Sequence, residues 1–301
     1  MSESPAHRPL AGILWMLLTG LCFVAVTATV KHLGQAVPAA QAAFLRYALG
    51  LVFVIPMIRP MLRSGLGRRG ATLAGLRAAA HTLAVILWFF AMARIPIADV
   101  TAMNYLAPVY ISVGAALFLG ERLASRRIAA ILVALAGALV ILRPGFRELS
   151  SGHVAMLFTA PAFAVSYLMA KRLTAEISPL AVVGLLSVGV TIGLAPFAAV
   201  VWVPPTPVQL LWLLLVAFFA TAGHYSMTRA FEAAPLAVTQ PVTFLQLVWA
   251  TLLGIFVFGE AFDPWVVLGG SMVVGAVSFI SWRESALRRR AATPPDAAAK
   301  L

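Results

Sequence analysis

Apolar runs of about twenty residues, separated by short polar or charged breaks, repeat along almost the whole chain. Read against Pro, Gly and charge punctuation, they predict ten spans. These fall near 11–30, 39–58, 72–93, 97–118, 124–142, 152–171, 180–202, 208–229, 236–258 and 264–282. About twenty apolar residues suffice for a helix to cross the hydrocarbon layer. The expected fold is therefore all-α and membrane-integral, with ten transmembrane helices. The first run is too long for a signal-peptide core and no clear small-residue cleavage site follows it, so it is read as a retained helix.

Composition agrees with this pattern. The chain is 62% hydrophobic and 11% charged, where a soluble domain carries about 25% charged residues. A separate globular domain has no room. The one cysteine, Cys22, excludes a disulfide framework and is read as a small packing residue.

The net charge of +12 is topological rather than a sign of a nucleic-acid partner. With both termini cytoplasmic, seventeen Lys and Arg residues fall on the inner side, Arg77 among them. Lys31, Arg94, Arg143 and Arg147 fall outside, and Arg46 lies within a span. Basic loops stay in the cytoplasm, so this asymmetry fixes the orientation at the inner membrane. The tail 283–301 is basic, then Ala/Pro-rich. It reads as a disordered cytoplasmic segment whose Arg cluster rests on anionic headgroups.

The chain also resembles itself at an offset near 140. Residues 11–33 lie over 151–173 with seven of 23 positions identical, Phe23/Phe163 and Lys31/Lys171 among them. Residues 95–121 lie over 234–260, matching Pro96 to Pro235 and Gly120-Glu121 to Gly259-Glu260. Repeats of five helices, 11–142 and 152–282, enter the membrane from opposite sides because five is odd. Inverted repeats are the usual construction of secondary transporters, in which two similar halves rock about a central site.

On these features the chain resembles the drug/metabolite transporter superfamily, and within it the EamA-type branch. The resemblance rests on the five-plus-five helices, the basic Arg46 early in span two and the Pro-then-Gly-Glu pattern around spans four and nine. It covers about residues 10–282. It implies secondary transport of a small metabolite, with export of amino-acid-like compounds first and import of riboflavin, a nucleotide-like cofactor or S-adenosylmethionine as the alternative. Arg46 departs from the duplication, because its repeat mate is Leu186.

The candidate substrate-binding residues are Arg46, His81, Trp88, Asn104, Tyr105, His224, Gln246 and Trp249. Arg46 is an intramembrane charge, costly unless functional or paired, and its donor fork suits a carboxylate or phosphate. A snorkelling or backbone-bonded role is the structural alternative. His81 and His224 sit on equivalent helices and could exchange protons, or simply bond a neighbouring helix. Asn104 and Gln246 supply donors and acceptors, and Trp88, Tyr105 and Trp249 could stack on a planar ligand. Pro108 and Pro241 are the expected hinges.

Asp99 is read as favouring a helix N-terminus, and Glu121 and Glu260 as structural turn residues. Ala130, Ala134 and Ala138, and likewise Gly189 and Gly193, form close-packing faces. No nucleotide-binding loop, metal cluster or catalytic triad is present, so no cofactor is expected and a gradient supplies the energy. A polytopic lipid-modifying enzyme is the remote alternative. The expected partners are the metabolite, the bilayer and protons, with the protein a monomer or homodimer.

Overall fold

The computed structural model describes residues 9–107, 109–111, 113–114, 125–146, 148–173, 176–233 and 236–292. The first half contributes α1 (Pro9–Leu33), α2 (Ala39–Gly50), a 3-10 segment (Leu51–Met57) leading into α3 (Ile58–Leu62), α4 (Arg68–Met92), α5 (Ile97–Asn104) and α6 (Ser125–Leu142). The second contributes α7 (Ser151–Leu173), α8 (Pro179–Val200), α9 (Pro207–Ala233), α10 (Leu236–Phe258) and α11 (Pro264–Ala292).

Seven described helical segments are long and apolar enough to cross a bilayer, and Ile128–Leu142 and Leu245–Phe258 are shorter apolar helices. The protein is a multi-pass membrane protein. The expected fourth span falls partly outside the described residues, as does the hinge residue Pro108.

Local chemistry accounts for the helix boundaries. Gly34, at φ 58°, ends α1 in the left-handed region and returns its N–H to Val30 and Lys31 carbonyls. Ser178 caps α8 by accepting from the Ala181 N–H, with Pro179 at the first helical position. Pro56 has no N–H to continue an α-helix, and the stretch around it tightens into 3-10 geometry. The fourth span is interrupted. α5 gives way to a turn at Tyr105–Leu106, where Leu106 N–H bonds the Met103 carbonyl. At the other end of the chain, α11 runs to Ala292, ten residues into the segment that hydropathy assigns to a tail. Residues 283–292 are rich in Ala, Leu, Arg and Glu, which are good helix formers whatever their hydropathy.

Packing is arranged by exchange of halves. α1 packs on α9 and α10, while α7 packs on α4 and α5. α2 meets α9 as α8 meets α4, and α2/α8, α5/α10 and α6/α11 pair like with like. Leu14, Leu18 and Leu21 line the exposed face of α1, as suits a lipid-facing stripe, whereas Met16 and Thr19 are buried.

Small residues let the helices approach. Ala130, Ala134 and Ala138 are all buried on α6, and a Cβ on Gly137 would stand 2.6 Å from the Gly269 carbonyl of α11. A Cβ on Gly193 would meet Thr82 Oγ1 of α4 at 2.6 Å.

Gln41, fully buried in α2, grips the chain that follows α8. Its Nε2 donates to the Val203 carbonyl at 2.6 Å and its Oε1 accepts from the Val203 N–H at 2.9 Å. Gln41→Leu strands both backbone groups. A buried unsatisfied group costs about 1–3 kcal/mol, so the substitution should lower the thermal midpoint of the purified protein measurably, and an unchanged midpoint would show that water replaces the amide.

Candidate functional site

Three helices bring the central cluster together. α4 presents Arg77, His81 and Trp88 on one face, spaced by four and seven residues. α7 presents Phe163, Ser166 and Tyr167 at i, i+3 and i+4, and α2 adds Arg46 and Tyr47. His81 is held at both ring nitrogens. Tyr47 Oη lies 3.0 Å from Nε2 and Ser166 Oγ lies 3.0 Å from Nδ1. A neutral imidazole donates from one nitrogen and accepts at the other, and either hydroxyl can take either part.

Aromatic rings close the walls. Phe163 meets His81 edge-on at 5.0 Å, Trp88 meets Phe163 at 6.0 Å, and Tyr167 stacks on Phe163 with an interplanar angle of 27°. The Trp88 indole N–H is buried and has no hydrogen-bond partner among the described residues. Arg46 lies over the Tyr47 ring at 4.0 Å, half-buried.

His224 repeats the arrangement in the other half. Its ring meets Phe23 of α1 edge-on at 5.2 Å. Phe23 and Phe163 are repeat mates, so each half carries a histidine set against the phenylalanine of the opposite half's first helix. The two histidines differ from the repeat offset by about one helical turn, which keeps them on similar faces.

Four of the expected site residues, Arg46, His81, Trp88 and His224, are thus brought into one neighbourhood. The others are placed less centrally. Asn104 and Tyr105 are half-buried at the α5 break, and Tyr105 packs against the main core. Gln246 of α10 is half-buried against Gly20 of α1, where a Cβ would lie 3.5 Å from its own Cβ. Trp249 is 36% exposed. Pro241 lies within α10, with its side chain outside the described residues.

Sequence reasoning missed Tyr47 and Ser166. It also assigned Arg77 to the cytoplasmic loop charges. Arg77 is instead buried within α4, donating through Nη1 to the Val182 carbonyl of α8 at 2.7 Å. Among the described residues, no three His, Cys, Asp or Glu side chains converge as metal ligands.

A second polar group ties one end of the bundle. Lys31 Nζ contacts Glu260 Oε1 at 2.5 Å and donates to the Ile95 carbonyl, while Glu260 Oε2 accepts from Ile97 N–H. Asp99, in the first turn of α5, forms a buried pair with His153 of α7 at 2.8 Å, a partner that its helix-end reading did not include. Arg143 pairs with Asp263. A cavity of about 710 Å³ opens among these residues, with Phe146, Phe262 and Trp265 on its walls.

Two arginines, a histidine from each half and a set of aromatic rings thus gather inside the helical bundle. The EamA-like transporter family model matches residues 10–143 and 150–282, one copy on each half. The chain belongs to the EamA-like transporter family, within the drug/metabolite transporter superfamily, and is a transporter rather than an enzyme.

It is 30% identical to a riboflavin transporter of Rhizobium johnstonii, over 95% of each chain. It is 27% identical to a pseudopaline exporter of Pseudomonas aeruginosa, over 90% of this chain and 96% of that one. A protein crystal structure superposes with a TM-score of 0.57 at 18% identity, covering 95% of this chain and 99% of the other, and it shares the fold.

Proposed function

We propose that the protein is a secondary transporter of the inner membrane that moves a small, flat aromatic metabolite by alternating access. The observation that carries this reading is the ring-walled cluster of Tyr47, His81, Trp88, Phe163 and Tyr167, with Arg46 beside it and the Trp88 N–H free to donate. Such walls stack on a planar ring, and the few polar groups orient it. The riboflavin transporter relative supports a ligand of that shape.

In this reading ten spans form two inverted repeats, 11–142 and 152–282, with both termini cytoplasmic. The halves rock about the site, bending at the α5 break near Pro108 and at Pro241. Asn104, Tyr105, Gln246 and Trp249 complete the lining contributed by α5 and α10. A substrate or proton gradient drives the cycle, with His81 and His224 as the proton-carrying candidates. Export of an amino-acid-like metabolite is the second reading, favoured by the pseudopaline exporter relative.

The test is uptake of labelled riboflavin by an auxotroph, run beside paired metabolomics of cells and medium, with wild type and Arg46→Ala at matched protein levels. Wild type should move an aromatic metabolite, and Arg46→Ala should reduce that movement about tenfold or more, because a charge-assisted hydrogen bond contributes roughly 1.5–3 kcal/mol. Movement of amino-acid-like compounds alone would select the second reading. Medium and cells matching the empty vector would sink both.

A further inference from the structure

The central site holds two intramembrane cations and no described carboxylate to balance them. Arg46 is eight residues into α2 and Arg77 ten residues into α4, which places each roughly 10–14 Å along its helix. His81 stands one helical turn beyond Arg77 on α4 and is held by Tyr47 of α2, over whose ring Arg46 lies. Arg77 is 6% exposed, and its only described hydrogen bond is the one from Nη1 to the Val182 carbonyl. Its Nε is buried with no hydrogen-bond partner among the described residues.

The sequence puts no acid in the middle of any expected span. All ten Asp and Glu residues lie in the tails, in the loops or at helix ends: Glu3, Asp99, Glu121, Glu148, Glu176, Glu232, Glu260, Asp263, Glu284 and Asp296. Those that pair in the described structure do so elsewhere, Glu260 with Lys31, Asp263 with Arg143 and Asp99 with His153. Uncompensated charge at this depth is costly, and a buried cation persists where something brings the opposite charge to it.

The neighbourhood is also open to a ligand. Tyr167 meets both Phe163, at 6.1 Å, and His81, at 6.5 Å, and is still 43% exposed, so part of its ring is left uncovered beside the cluster.

We infer that the substrate is the missing counter-ion: an aromatic metabolite bearing a carboxylate or phosphate, with Arg77 acting beside Arg46 as the second residue that sets the preference for an anion. This rests on the aromatic-transporter reading above and narrows its substrate class. Arg77 supplies a fixed guanidinium at the α4 wall, Arg46 supplies a second on the stacked Tyr47 ring, and the aromatic walls take the substrate's ring.

The test uses ligand pairs that share a ring and differ in charge. The full-length chain in nanodiscs is titrated with nicotinate and nicotinamide, and with flavin mononucleotide and riboflavin. Wild type should bind the anionic member of at least one pair about tenfold more tightly, the scale of a charge-assisted hydrogen bond. Arg77→Gln should shrink that ratio to within about threefold while the neutral member binds as before, and Arg77→Lys should restore part of it.

Equal binding of both members by wild type would overturn the inference while leaving an aromatic substrate in place. A ratio unchanged in Arg77→Gln would overturn the role of Arg77. Equal loss of both members in that variant would show a purely structural arginine and overturn it too. Binding of no member of either pair would overturn this inference together with the aromatic reading.

Discussion

Gly269→Leu is expected to melt the protein about 2–12 °C below wild type, or to leave no folded protein to extract. At Gly269 the backbones of α6 and α11 touch. A Cβ there would strike the Gly137 carbonyl and come within 2.7 Å of Ile141 Cγ1 and 3.1 Å of the Ile141 backbone nitrogen. Neither Gly137 nor the Ile141 backbone can swing aside as a flexible side chain could.

The helices must separate instead, and separation costs the whole seam, including Ala134, Ile141 and Val273, each of which is fully buried. Helix association in a membrane depends on close van der Waals contact rather than on escape from water. Overpacking a fitted interface costs about 1–3 kcal/mol and sometimes more, and in a chain of this size each kcal/mol shifts the midpoint by roughly 2–4 °C. Gly275, on the same helix, is the control, because a Cβ there would meet nothing within 4 Å. Gly275→Leu should melt with wild type. If Gly269→Leu does as well, the backbone contact does not hold the two helices together.

This seam also shows how far the chain can be read without its structure. Ala130, Ala134 and Ala138 mark the contacting face of α6 by spacing alone, and all three are buried. Their partner could not be found that way, because the approach of Gly137 to Gly269 depends on which helices meet. Boundaries set by hydropathy came within a few residues wherever polar punctuation was present: the ninth span, 236–258, coincides with α10. They fell short for α11, whose last ten residues are helix formers without being apolar.

In the candidate site, isolated charges and histidines in apolar runs were visible because such residues are costly there. Tyr47 and Ser166 were not, since a hydroxyl gains its meaning from a partner on another helix, here His81. Arg77 was misread for a related reason. It stands near the basic loops in sequence, but the twist of α4 turns it inward onto Val182. The pairing of His81 with Phe163 and His224 with Phe23 lay half exposed in the repeat, which aligns the phenylalanines but leaves the histidines a turn out of step.

Glu260→Ala should open the end of the bundle that Lys31 and Glu260 hold shut. Glu260, its side chain 11% exposed, joins three pieces of chain: its carboxylate pairs with Lys31 at the end of α1 and accepts from Ile97 N–H at the start of α5, while its backbone N–H donates to the Gly254 carbonyl of α10. Lys31 in turn donates to the Ile95 carbonyl. Removing the carboxylate leaves the ammonium, 19% exposed, with the Ile95 carbonyl and the Phe258 ring, and strands the Ile97 N–H at a helix start. Breaking one side of a buried pair costs about 3–5 kcal/mol. If this end parts when the halves rock, that cost falls on the closed arrangement and shifts the population towards the open one.

A cysteine at Thr251, which lines the 710 Å³ cavity beside Glu260, reports the change. With Cys22 replaced by Ser, labelling of Thr251→Cys by a maleimide in full-length protein in nanodiscs, where both faces are reached, should be about tenfold or more faster in Glu260→Ala than in the parent. Glu260→Gln should fall between, because an amide oxygen still accepts from Ile97 N–H but carries no charge for Lys31. Equal labelling in all three would mean that the ion pair holds the fold without holding a gate.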